Sequence, residues 1–191
     1  MLNYRPTPPY VRLAVNTLHR GEVIAYPTEA VWGLGCDPFD VDAVYKILEL
    51  KGRSVDKGLI LIASETRQLD FVLSTLSIDQ RSRMEASWPG PTTWIVPNNA
   101  SVPYWVCGNH SGVAVRVSDH PLVQSLCKAY GGPIVSTSAN PQGKPAAKYR
   151  WQVERYFGRS SHLSYITKGI VGKRERPSDI IDLLSASVIR S

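Results

Sequence analysis

Cysteine is scarce in this chain. Cys36, Cys107 and Cys127 are scattered through 191 residues, and no two of them form a CxxC pair. That spacing excludes a disulfide framework and gives no zinc site, so reduced thiols of a cytoplasmic protein are expected. The four histidines, His19, His110, His120 and His162, show no metal-ligand spacing either, and no protein metal site is expected. Long apolar runs are missing, which excludes a membrane-spanning helix. The opening "MLNYRPTPPYVRL" has no apolar core of the secretory-signal kind. GxxxxGK[ST], GxGxxG, GxSxG and HExxH are all absent, so P-loop, dinucleotide-fingerprint, nucleophile-elbow and zincin chemistry have no sequence support. No internal repeat or low-complexity tract is visible.

What is present suits an ordinary globular core. Hydrophobic residues make up 43% and charged residues 20% of the chain. The length suits a single domain spanning residues 1–191. The formal net charge is +6. A basic surface attracts polyanions such as nucleic acid, nucleotides or acidic lipid. The same excess also occurs on simple solvated surfaces, and charge alone does not separate the two.

The apolar pattern gives a mixture of helices and strands. "YVRLAVNTLHR" reads as a helix closed by Gly21, and "EVIAYP" as a buried strand. After an opening loop, Asp40 is placed to cap "VDAVYKILELK", whose Val41, Val44, Ile47 and Leu48 share one face. "LILIA" reads as a central strand, followed by two short helices, the second capped by Ser77 and Gln80. "PGPTTWIVP", "GVAVRVSD" and "PIVSTSAN" are further strands. Asp119 is expected to cap "HPLVQSLCKAYG", and residues 149–157 form a helix stopped by Gly158. Short strands near 163–167, 179–183 and 187–190 crowd the end of the chain. The rhythm is not a strict βαβ alternation, so the expected class is α+β, a mixed sheet covered by helices.

Four polar turns follow apolar strands, and strand ends converge where open α/β sheets bind ligands. They are "PTEAVWGLG", "KGRSVDKG" with Lys51, Arg53 and Lys57, the strand holding Arg116 among valines, and "STSAN". A guanidinium among valines needs solvent or an anionic partner, and a ligand-facing role is favoured for Arg116. The three cations of the second turn could clamp a polyphosphate, or form a solvated basic loop. "STSAN" alone is satisfied by ordinary turn chemistry. Trp32 could stack a base, but core packing is its expected role.

Taken in order, "AYPTEAVWGLGCDP", "ELKGRSVDKGLILIA", "WPGPTT", "AVRVSDHPLV", "PIVSTSAN" and "RPSDIID" resemble the YrdC/TsaC family of threonylcarbamoyl-adenylate synthases, in its short bacterial form. The resemblance spans roughly residues 10–190. It implies a YrdC/RibB-like three-layer α/β/α fold, with a twisted mixed sheet around a positively charged cavity. It also implies that L-threonine, bicarbonate or CO2, and ATP give threonylcarbamoyl-AMP and diphosphate. A separate tRNA threonylcarbamoyl-transfer complex would then pass the group to an adenosine beside the anticodon. By the same resemblance Lys51 and Arg53 are the catalytic cations. Arg53, Lys57, Ser138, Asn140 and Arg190 contact ATP. Thr28, Ala30, Arg116, Ser136 and Ser178 surround threonine. Many relatives carry a second threonine where this chain has Ala30, so any contact there falls to the backbone. The glycines of the first turn would let backbone approach ligand closely. Mg2+ is expected to arrive with ATP. The alternative is an RNA-binding module without catalysis, and contact with tRNA is compatible with either reading.

Overall fold

The computed structural model describes residues 7–190; "MLNYRP", part of the segment read above against a leader, and Ser191 lie outside the described residues. Helix α1, Pro9–His19, begins with proline at its first position and buries Val11, Ala14, Val15 and Leu18. Strands β1 (Val23–Pro27) and β2 (Trp32–Gly35) form an antiparallel hairpin, with Pro27 registered to Trp32. The first strand is where it was read, and the stretch read as an opening loop contains a four-residue turn and the second strand. Its glycines hid the second strand, because glycine argues against strand by propensity. Helix α2, Val41–Lys51, is capped at Asp40, whose carboxylate accepts from the Ala43 N–H at 3.0 Å, and ends at a left-handed Gly52.

A 3-10 turn over Val55–Lys57 leads to β3 (Ile60–Ala63). Then follow α3 (Asp70–Leu73), α4 (Ile78–Glu85), β4 (Thr92–Pro97), α5 (Tyr104–Cys107) and β5 (Gly112–Val117). The Ser77–Gln80 capping box on α4 is present. Helix α6, Pro121–Tyr130, does not use Asp119 as its cap. The cap position is His120, which makes no side-chain cap bond, and Pro121 at the first turn removes one of the N–H groups a cap would serve. The chain closes with β6 (Ile134–Ser138), α7 (Arg150–Phe157), β7 (Leu163–Ile166), β8 (Asp179–Asp182) and β9 (Val188–Arg190).

The described strands form one nine-stranded sheet in the order β7-β1-β2-β6-β3-β5-β4-β8-β9. Three pairs are parallel (β1 with β7, β3 with β5, β4 with β8) and the other five antiparallel, so the sheet is mixed as expected. The last three strands, close in sequence, separate to opposite edges. β7 lies beside β1, whereas β8 and β9 finish the other edge.

Alternation along each strand divides the side chains between two layers. Val23, Ala25, Leu61, Ala63, Val113, Val115 and Val135 join the larger core under α2, α3, α4, α5 and α7. Ile24, Tyr26, Ile62 and Ile134 point the other way and pack beneath α1 and α6. Those two helices cover only part of their face. The uncovered part carries the site.

Candidate active site

A single row of residues crosses the uncovered face. Ser136 on β6 is registered with Ile60 on β3, Ile60 with Ala114 on β5, Ala114 with Ile95 on β4, and Ile95 with Asp182 on β8. All five line a cavity of about 880 Å³. In the next row, Ile134 and Ile62 lie under the helices and Arg116, registered with Ile62, emerges at the cavity wall. The valines of "GVAVRV" point into the larger core, so the same alternation sends Ala114 and Arg116 to the cavity.

The walls come from loops. The β1–β2 turn contributes Thr28, Glu29, Ala30 and Val31, and the end of α2 and its following loop contribute Lys51, Arg53 and Lys57. The loop after β6 adds Ser138, Asn140 and Gln142, and the segment before β8 adds Arg174, Arg176 and Ser178. Arg190 on β9 closes the rim. Every residue singled out in the sequence for ATP or threonine therefore lines this one cavity. Seven lysine and arginine side chains surround it, against the two carboxylates of Glu29 and Asp182.

Lys51, the last residue of α2, is almost fully buried. Its Nζ donates to the carbonyls of Ser138 at 2.6 Å and Asn140 at 2.9 Å, and its own carbonyl accepts from the Gln142 N–H at 2.7 Å. Burial first, and the neighbouring Arg53 charge second, bring the Lys51 ammonium down to about 8. Arg53 donates from Nη2 to the carbonyls of Lys57 (3.2 Å) and Gly58 (3.1 Å), which folds its loop into a ring. Lys57 reaches across to Gln142 Oε1 at 3.4 Å. Asn140 donates from Nδ2 to the Lys144 and Pro141 carbonyls, and its buried Oδ1 has no partner among the described residues.

On the opposite wall the Ser178 hydroxyl lies 2.9 Å from that of Thr93, and Arg190 donates to the Ser178 carbonyl at 2.8 Å. Burial and the nearby charge of Arg116 lower the pKa of Arg190, so these two guanidiniums feel one another. The Thr28 hydroxyl proton goes to the Val31 carbonyl at 2.7 Å, so Thr28 shapes the turn through that bond. Trp32 packs in the core with 1% exposure.

The two glycines of the hairpin differ. Gly33 lines the cavity. At Gly35 a Cβ would sit 2.7 Å from both the Tyr26 ring and the Val135 carbonyl oxygen. That glycine serves strand packing, not close approach to a ligand, which corrects the expectation for it.

Four lining charges had been given no role in the sequence: Glu29, Arg174, Arg176 and Asp182. Glu29 lay in view beside Thr28, but nothing in the spacing tied it to Arg116, 87 positions on. The structure brings the Glu29 carboxylate against the Arg116 guanidinium. Burial pushes the Glu29 carboxyl up; Arg116 and the Ser118 hydroxyl outweigh it, and the net direction is down.

A family model, Sua5_yciO_yrdC, described as "Telomere recombination", matches residues 16–191. The chain belongs to the Sua5/YciO/YrdC family. It is 54% identical over 191 residues to the threonylcarbamoyl-AMP synthase of Saccharophagus degradans, covering 100% of this chain and 98% of that one. To the threonylcarbamoyl-AMP synthase of Cellvibrio japonicus it is 52% identical over 182 residues, 95% of each chain. Among solved structures, P. abyssi Sua5 complexed with L-threonine superposes with a TM-score of 0.83 at 31% identity. That match covers 90% of this chain and 50% of the P. abyssi protein, so this member of the family spans half that length. Among the described residues no helix is long and apolar enough to cross a membrane.

Proposed function

We propose that the chain is a threonylcarbamoyl-AMP synthase, forming threonylcarbamoyl-AMP and diphosphate from L-threonine, bicarbonate or CO2, and ATP. The observation that carries this reading is the gathering of seven cations around one cavity, together with close, nearly full-length relatives that bear that name. A volume near 880 Å³ is at the upper end of the range for ligand pockets, roughly 300–1,000 Å³, and leaves room for a nucleotide beside an amino acid.

The chemistry requires no covalent enzyme nucleophile. The threonine amine is carboxylated, and the carbamate oxygen attacks the α-phosphorus of ATP as the bond to pyrophosphate breaks. Negative charge gathers on the phosphate oxygens, so positioned cations and N–H donors supply most of the catalysis. Lys51 and Arg53 face the reacting phosphate. Lys57, Ser138, Asn140 and Arg190 hold the rest of the nucleotide. Arg116 takes the threonine carboxylate, with Ser136, Ser178, Thr28 and the Ala30 backbone around it.

The site's carboxylates do not suit a resident cation. Glu29 is engaged by Arg116 and Ser118, and Asp182 Oδ1 accepts from the N–H groups of Leu184 and Ser185 and from the Ser185 hydroxyl. No group of three or more metal-ligating side chains occurs among the described residues. In this reading Mg2+ enters on the triphosphate, and the adenylate passes to a tRNA threonylcarbamoyl-transfer complex.

The test is pyrophosphate release by the purified protein with ATP, bicarbonate and L-threonine, each omitted in turn. Release that requires all three is the expected result. A folded protein that releases none, or releases it without threonine, overturns the reading.

A further inference from the structure

We infer that Glu29 is a positioning residue of the amino-acid subsite, holding the Arg116 guanidinium so that only one of its edges is offered to the threonine carboxylate. The inference rests on the reading of Arg116 given above, and nothing so far gives Glu29 a part in the reaction.

The N–H groups of Arg116 are divided between protein acceptors and the cavity. Its Nε donates to the Gly90 carbonyl at 3.0 Å, and its Nη2 lies against Glu29 Oε2. Its Nη1 has no acceptor among the described residues, and the side chain lines the cavity. Two edges of the fork are thus fixed by protein and one is left open.

Glu29 is itself held. Oε1 accepts from the Ser118 hydroxyl at 2.6 Å. That hydroxyl in turn accepts from the His120 N–H at 3.1 Å, which orients its proton toward Glu29. The Glu29 carbonyl accepts from the Arg174 N–H at 3.1 Å, so backbone and side chain are both pinned. The chain of bonds runs from His120 through Ser118 and Glu29 to Arg116 and ends at Gly90. Ser118 is fully buried, and Glu29 and Arg116 are each 7% exposed.

This arrangement separates two roles a cavity carboxylate could have. A base or an ammonium acceptor needs a free oxygen facing the ligand. Here Oε1 is filled by Ser118, and Oε2 is fully buried against Arg116. Glu29 therefore acts through Arg116. An arginine with several free rotors, in a cavity that also holds phosphates, would turn toward the greater negative charge. A fixed carboxylate behind it keeps it on the amino-acid side and leaves the phosphates to Lys51, Arg53 and Lys57.

The test is steady-state pyrophosphate release combined with calorimetric titration of L-threonine, on Glu29→Gln, Ser118→Ala and Arg116→Ala. Glutamine matches the shape but sets an amide N–H against a guanidinium N–H, or turns over and faces Ser118 instead. Glu29→Gln is expected to weaken threonine about tenfold or more, in KM and in direct binding, while KM for ATP stays within about twofold. Ser118→Ala, which keeps the ion pair and frees the carboxylate, is expected to give a smaller loss of the same kind. A merely structural Glu29 would lower Tm and move both KM values together. If Arg116→Ala loses threonine binding and neither Glu29→Gln nor Ser118→Ala weakens it, the inference on Glu29 fails alone. If Arg116→Ala binds threonine normally, the reading of Arg116 fails first. Should Glu29→Gln not fold, the Ser118→Ala split between the two KM values decides.

Discussion

The Lys51 ammonium lies 2.6 Å from the Ser138 carbonyl oxygen, so the last residue of α2 is tied to the last residue of β6. The contact assembles two walls of the cavity and holds a cation there, at the place that the proposed function gives to phosphate. Its low value, about 8, follows from removal from water and from the Arg53 charge. Above that pH the amine still donates to both carbonyls, but the charge is gone. The expected outcome is a fall in kcat/KM for ATP above about pH 8 in wild type. The corresponding limb of kcat should shift upward, because bound triphosphate favours the charged form.

The same group sets a stability difference. The ordinary lysine value is about 10.4, so between about 8 and 10.4 the folded state binds fewer protons than the unfolded state. Stability from Lys51 therefore rises with pH across that window and is lowest below it. Lys51→Met removes the buried charge, and its Tm relative to wild type should be more favourable at pH 7 than at pH 10. Thermal melts at the two values check the sign. Activity of the variant should be lower by about 100-fold or more at pH 7, and the gap in kcat/KM should narrow at pH 10, where Lys51 of the wild type has itself lost its charge.

Arg53 tests the phosphate side separately. Its two bonds to the Lys57 and Gly58 carbonyls are on a loop that is only partly buried, so their loss should cost little stability. Arg53→Ala is expected to reduce pyrophosphate release about 100-fold or more, with Tm changed by no more than about 3 °C. A folded variant with full activity would remove Arg53 from the site.

Much of this was legible in the chain. Helices with real caps, such as Asp40 on α2 and Ser77 with Gln80 on α4, announce themselves locally. Strands β3 and β5 do so by their apolar runs, and the polar turns that follow strands marked the cavity residues. Three things were not legible. β2 was hidden because Gly33 and Gly35 contradict strand propensity, and only the Tyr26 ring and the β6 backbone make glycine the fitting residue at Gly35. The Glu29–Arg116 pair joins residues brought together only by the sheet, so no spacing announces it. The split of the last strands between two edges depends on pairing partners far back in the chain.

The two hairpin glycines should answer mutation differently. A methyl at Gly35 would be 2.7 Å from both the Tyr26 ring and the Val135 oxygen, whereas at Gly33 its nearest neighbours stand at 3.4–3.5 Å. Gly35→Ala is an overpacking change worth about 1–3 kcal/mol, and in a chain of this size it should lower Tm by about 2–12 °C. Gly33→Ala should fold with nearly the wild-type Tm and show its effect in KM, since Gly33 faces the cavity. Melting curves and kinetics on the pair would reverse this assignment if Gly33→Ala were the less stable.

The segment before β8 is tied to the β1–β2 turn. Gly172 donates its N–H to the Thr28 carbonyl at 2.9 Å, and Arg174 donates to the Glu29 carbonyl at 3.1 Å, so the segment lies along the β1–β2 turn as a short ladder. A methyl at Gly172 would meet the Glu29 oxygen at 2.8 Å, which demands glycine there. The ladder delivers Arg174 and Arg176 to the rim, where neither has a carboxylate partner among the described residues. Both are exposed, so replacing them should leave Tm nearly unchanged. The Arg174→Ala/Arg176→Ala double variant should raise KM for ATP by about tenfold, with the loss shrinking as salt is added, because unpaired rim cations act on the triphosphate through screened Coulomb attraction. KM for threonine should stay near wild type, since Arg116 on the inner wall is untouched. A double variant with unaltered ATP kinetics at low salt would show that the segment only covers the cavity and takes no part in gathering the nucleotide.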